Sequence, residues 1–257
     1  MKSLRVLCLL FLVSASAYPA FDNLAGRAPW QLLPVSGLAG FGRGPQFGAA
    51  LNYARLFNQQ DLSYGEGALF FRKRHWGFLL EGEQLNAAIY RETRFATGLL
   101  FRWEAGHVLY GKGGFYQIGA EGYRSAGAPG VQVGLRLAVH PHFRVHADLV
   151  NFNQPRLNGY PGEIPQVLFL GGAWSPDPAF AVRGIWEKDQ RYGMGSIWQV
   201  DFRVLPALNL RAGYETTGSL SRGGLTLTSG SLQCCYDVVY HFELGPTHKI
   251  GLSYVRE

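Results

Sequence analysis

Trp198-Gln199-Val200-Asp201-Phe202-Arg203-Val204, the turn Leu205-Pro206-Ala207 and Leu208-Asn209-Leu210-Arg211-Ala212-Gly213-Tyr214-Glu215 carry the reading of the fold. In the first run Trp198, Val200, Phe202 and Val204 fall on one face, and Gln199, Asp201 and Arg203 on the other. In the second, Leu208, Leu210, Ala212 and Tyr214 oppose Asn209, Arg211 and Glu215. Successive side chains of a strand point to opposite faces, so each run is a strand with one apolar and one polar side. Proline has no N–H for a ladder, which places the reversal at Pro206. Folding the two strands antiparallel about that turn sets position 201 opposite 211 and position 203 opposite 209. Asp201 and Arg211 are then directly opposed with opposite charges.

The same period recurs outward from this hairpin. Val131, Val133, Leu135, Leu137 and Val139 oppose Gln132, Gly134 and Arg136; Phe143, Val145, Ala147 and Leu149 oppose Arg144, His146 and Asp148. Tyr236, Val238, Tyr240 and Phe242 oppose Asp237, His241 and Glu243. Composition agrees: charged residues are 16% of the chain, glycine is 34 of 257 and aromatics are 14%. Ordinary soluble domains carry about 25% charge and ~7% glycine. With 47% hydrophobic residues the chain is not disordered. Its mean hydropathy of −0.03 spreads apolar residues between polar ones. No apolar run of the ~20 residues that a membrane helix needs follows Tyr18. A soluble β-sandwich would also alternate, but its wet face would be rich in Lys, Glu and Thr. Here the polar face mixes Arg, Asp, Glu and His with glycine, and aromatics flank the strands as in the girdles of outer-membrane barrels. The expected fold is an all-β transmembrane antiparallel outer-membrane barrel.

Turns give a second check. Tight connections are expected at His140-Pro141-His142, Ser175-Pro176-Asp177-Pro178, Leu205-Pro206-Ala207 and Ser229-Gly230-Ser231. Longer ones are expected at 125–130, 153–164, 188–194, 216–222 and 243–247, alternating with the tight ones as periplasmic turns alternate with outer loops. Strands are placed near 247–256, 232–242, 223–228, 207–215, 195–204, 179–187, 165–174, 143–152, 131–139 and 115–124. Others lie near 92–103, 75–86, 60–71 and 46–56, with a long connection at 104–114. The total is 14, with 12 as the alternative because 223–228 is short.

Residues 1–17 read as a secretory signal peptide: Lys2 and Arg5, an apolar stretch from Val6 to Val13, and Ala15-Ser16-Ala17 before Tyr18. Residues 18–45, rich in Gly, Pro and Ala and bearing Trp30, Leu32 and Leu33, read as a periplasmic or plug segment entering the barrel mouth. Residues 46–257 form the barrel, in a bacterial outer membrane. Removing the signal takes two positive charges from a formal +6, and the rest form no basic run, so nucleic acid is not a partner. Cys234 and Cys235 are adjacent and would face opposite sides of a strand, which suits two small apolar residues better than a disulfide or metal site.

The polar faces carry both charge signs: Arg136, Arg144, Asp148, Arg183, Asp201, Arg203, Arg211, Glu215 and Asp237, together with Glu92, Arg94, Glu121, Glu187 and Glu243. Charges of both signs inside a barrel should pair across neighbouring strands. A selective ion pore would want one sign to dominate, so an open porin is disfavoured. No GxSxG elbow or HExxH motif occurs, and His140 and His142 belong to a turn, so neither an enzyme nor a cofactor is expected.

The C-terminal third resembles the barrels related to the long-chain fatty-acid transporter, including the accessory barrel of type IX secretion. The likeness rests on Asn151-Phe152-Asn153-Gln154-Pro155, Ile164-Pro165, Leu170-Gly171-Gly172-Ala173-Trp174, Leu210-Arg211-Ala212-Gly213-Tyr214, Gly223-Gly224-Leu225, Tyr236-Asp237 and Leu244 to Tyr254. It implies 14 strands with an N-terminal plug, and a passive transporter for a small hydrophobic molecule held in outer-membrane lipid. The alternative is an accessory barrel docking an envelope or secretion complex through its loops.

Overall fold

The computed structural model describes residues 46–103, 106–157, 164–190, 193–216 and 219–256. Their strands are β1 (Gln46–Arg55), β2 (Ser63–Lys73), β3 (Trp76–Ala87), β4 (Tyr90–Arg102), β5 (Val108–Ala120), β6 (Ala126–His140) and β7 (Phe143–Val150). The second half holds β8 (Val167–Asp177), β9 (Phe180–Asp189), β10 (Gly193–Leu205), β11 (Leu208–Glu215), β12 (Leu220–Ser229), β13 (Leu232–His241) and β14 (Gly245–Arg256). Each pairs antiparallel with its sequence neighbours, and β1 pairs with β14 from Phe47↔Arg256 to Arg55↔His248, closing the barrel. The expected signal peptide and the plug residues Trp30, Leu32 and Leu33 lie outside the described residues.

Tight turns predominate at one end of the barrel. At the end that carries residues 46 and 256, two-residue turns join β2–β3, β6–β7, β8–β9, β10–β11 and β12–β13. The long connection, from Asn151 to Gln166, lies at the opposite, loop end. Three β-bulges sit beside the proline turns, between Arg203 and Leu205, Ala138 and His140, and Trp174 and Asp177. Such bulges bend a strand at a barrel rim.

The hairpin that opened the argument has the expected register, with Asp201 opposite Arg211 and Arg203 opposite Asn209. Trp198, Val200, Phe202 and Val204 point out, while Gln199 and Asp201 are buried. Outward residues elsewhere are also large and apolar, among them Leu51, Leu69, Leu99 and Leu252. Aromatic pairs collect at the terminal end: Phe47–Tyr254, Trp76–Phe101, Phe101–Trp103 and Trp174–Phe180, with ring centroids 4.8–6.4 Å apart. This belt sits where an aromatic girdle meets the lipid headgroups.

Four sequence expectations need correction. The connection expected at 104–114 is mostly strand, since β5 starts at Val108, and the loop expected at 125–130 belongs to β6. Gly111, Gly113, Gly114, Gly127 and Gly130 look like turn residues, yet each sits in a ladder. Aromatic side chains cover some of them: the Phe115 ring lies over Gly127, and the Tyr116 ring over Gly130. The connection expected at 243–247 shrinks to Phe242–Leu244, and Glu121 and Glu243 lie in turns instead of on a strand's polar face. The short segment 223–228 is a full strand, β12, which settles the number at 14 over 12.

The outward face predicts its own sensitivity. Val200→Arg places a guanidinium against hydrocarbon and should destabilise the barrel by ~2–4 kcal/mol, read as loss of heat-modifiable migration on gels. Thr226→Arg, on the inner face of β12, should cost much less. Equal effects would contradict the assignment of faces.

Candidate functional site

Strand alternation makes the lumen the meeting place of the polar faces. On β10–β13, Arg211 Nε donates to Asp201 Oδ1 at 3.2 Å, and Arg211 Nη1 reaches both oxygens of Asp237 at 3.3 Å. Gln199 Nε2 donates to Asp201 Oδ2 at 2.9 Å, and Arg183 approaches the same carboxylate at 3.5 Å. Arg183 is half exposed, so that outer contact adds little. Arg222 Nη2 donates to Glu215 Oε2 at 3.3 Å.

Arg211 and Asp237 stand two strands apart, with Gly224 of β12 between them. A Cβ at Gly224 would overlap Asp237 Oδ1, so the missing side chain is what lets the two charges meet. The device recurs. Lys112 on β5 lies over Gly98 of β4 and donates to Glu81 Oε2 on β3 at 2.9 Å. Asn52 on β1 and Cys235 on β13 converge over Gly251 of β14. Cys235 is inward and half-buried and Cys234 outward and exposed; both are free thiols.

The site residues inferred from sequence fall into distinct places. Asp201, Arg211 and Asp237 form one bonded group, Glu215 pairs with Arg222, and Arg203 is exposed near the terminal rim without an ion pair among the described residues. Arg136 lies over the Tyr110 ring at 5.5 Å. Arg144 faces the lumen below His146, and Asp148 is buried.

A second polar group on β1–β6 escaped the sequence reading except for Arg94. Asn52 Nδ2 and Tyr64 Oη donate to Glu66 at 2.9 and 3.1 Å, and Arg94 donates to Glu83 at 3.2 Å and to Gln132 at 3.4 Å. The alternation Tyr64, Glu66, Ala68, Phe70 was the available signal for the first of these. Lys112 could not be found because its segment was read as a connection.

Apolar clusters bound these polar layers. At the loop end, Leu56 and Leu62 of the β1–β2 connection pack with Ala54, Tyr64 and Leu85, and across the barrel Val150, Val167, Phe169 and Ile185 form another cluster. Toward the terminal end lie Ala50, Ala68, Phe70, Leu100 and Val108. The β1–β5 wall is thus apolar, charged, then apolar along its height.

Solved structures share this architecture. The monoaromatic hydrocarbon channel CymD aligns with TM-score 0.60 and 12% identity, over 95% of this chain and 94% of that one. The toluene transporter TodX of Pseudomonas putida gives 0.60 and 10% over 94% of each chain. The toluene transporter TbuX of Ralstonia pickettii gives 0.54 and 10%, over 84% of this chain and 89% of that one. No family model matches the chain, and no curated protein does. At these identities the likeness is one of fold: a closed 14-strand antiparallel barrel, as in these channels.

The Arg211 bridge makes a measurable prediction. Arg211→Ala strands two carboxylates and should destabilise the barrel by ~3–5 kcal/mol, more than Asp201→Ala does. The double variant should lose less than the sum of the singles, because removing the second charge relieves the first. Strictly additive losses, read by denaturant-dependent gel migration, would contradict the pairing.

Proposed function

We propose that the chain is a passive outer-membrane channel for small hydrophobic molecules. The observation that supports this most is the pairing of a hydrocarbon-channel fold with apolar clusters on the inner wall at both ends of the barrel. A water-filled pore has no use for Leu56, Leu62, Val167 or Phe169 turned inward, since buried apolar surface favours solutes that themselves leave water. Opposite charges pair in the layer between the clusters, and they leave no single sign to select ions. Reading residues 18–45 as a hatch rests on their Gly-, Pro- and Ala-rich composition with Trp30, Leu32 and Leu33.

Uptake of radiolabelled toluene by Gram-negative cells tests the reading. Cells expressing the chain should take it up faster than cells lacking it, while uptake of a charged solute stays unchanged. Equal toluene uptake in the two, or co-purification with a stoichiometric protein partner, would favour the accessory barrel instead. Deleting residues 18–45 should alter toluene uptake or ion leakage; if neither changes, those residues are no hatch.

A further inference from the structure

We propose that Asp148, with the apolar wall beside it, forms a lumenal subsite for a small aromatic molecule bearing one neutral hydroxyl group. The proposal rests on the channel reading above and narrows its substrate class.

Among the described residues, no donor reaches Asp148 Oδ1 on the inner wall. Glu66, Glu81, Glu83, Asp201, Glu215 and Asp237 each have a donor within 3.3 Å. Asp148 is only 9% exposed, and its Oδ1 is buried with no hydrogen-bond partner. A buried carboxylate short of donors is costly, so a ligand whose hydroxyl reaches its lumenal side gains part of what the fold left unmade. Strand alternation turns Asp148 inward, so its remaining exposure opens on the lumen.

Its surroundings define the rest of the ligand. Across β6 the opposite residue is Gly134, and a Cβ there would overlap both Asp148 Oδ1 and the Tyr110 ring. The carboxylate and Tyr110 therefore converge over Gly134. On β8 the opposite residue is Phe169. The next inward pair toward the loop end is Val150 and Val167, and Ile185 completes that apolar cluster. One acceptor at the edge of an apolar wall, between two aromatic rings, suits a flat apolar body with one donor.

The charges nearby select among donors. Toward the terminal end the next inward residue is His146, paired in register with Arg136, and then Arg144, level with Arg183 across Ala173. Three guanidinium groups on that side oppose an ammonium, and Asp148 itself opposes a carboxylate. A neutral hydroxyl meets neither penalty.

The experiment compares uptake of radiolabelled toluene, benzyl alcohol and benzylamine by cells with and without the chain. The wild-type chain should favour benzyl alcohol over toluene, and Asp148→Val should lower that ratio by about tenfold, the share of one hydrogen bond to a charged group. Gly134→Ala should lower it too, by forcing the carboxylate off its seat; this variant carries the test if Asp148→Val does not fold. Heat-modifiable migration checks the folding of both. An unchanged alcohol-to-toluene ratio in the variants, with toluene uptake intact, overturns the subsite and leaves the channel standing. Preference for benzylamine overturns the hydroxyl assignment. If the chain raises uptake of none of the three, channel and subsite fall together.

Discussion

In hydrocarbon no water can satisfy a backbone N–H or C=O, and everything else in this chain follows from that constraint. Each unsatisfied group costs several kcal/mol, roughly, so a sheet that crosses a membrane must have no edge. The β1–β14 ladder removes the edge, carrying the register from Phe47↔Arg256 to Arg55↔His248. Closure then divides the side chains. One set must face lipid, and Leu51, Val200 and Leu252 do. The other is confined to the lumen, where a charge has little water and must find a partner.

The barrel solves that second problem with glycine. Neighbouring inward side chains on adjacent strands are crowded, and charges two strands apart are too far to meet over an ordinary residue. Gly98, Gly224 and Gly251 open gaps through which Lys112 reaches Glu81, Arg211 reaches Asp237, and Asn52 approaches Cys235. Glycine weakens a strand on its own, and its recurrence inside ladders marks close approach. The high glycine content and the mixed-charge lumen are therefore one feature. Gly134 follows the same design but brings Asp148 against an aromatic ring, where its Oδ1 has no hydrogen-bond partner.

That dual use of glycine explains what the sequence made legible. Between Trp198 and Glu215 the alternation is unbroken and a proline fixes the turn, so faces, register and the Asp201–Arg211 opposition could all be read directly. From Val108 to Gly114 and from Ala126 to Gly130 the same reasoning failed, because a glycine that accommodates a neighbour's side chain looks in sequence like one that makes a turn. Losing that strand boundary also lost Lys112 and Tyr110. Glu66, Glu81 and Glu83 were missed for a different reason: acidic residues on alternate positions of β2 and β3 announce a polar face, but their partners follow only from the β3–β4 register, which sets Arg94 opposite Glu83, and from Gly98, over which Lys112 reaches Glu81. The glycines that matter could be named only after their flanking strands were known.

Under the function proposed above, sealed backbone, paired charges and inward apolar clusters suit a barrel that admits what water excludes while giving ions no charged track. Conductance of the purified chain in a planar lipid bilayer tests this most directly. The account predicts insertion without a steady ohmic ion current, at either polarity and in high salt. A stable, porin-like open current from the intact chain would contradict it.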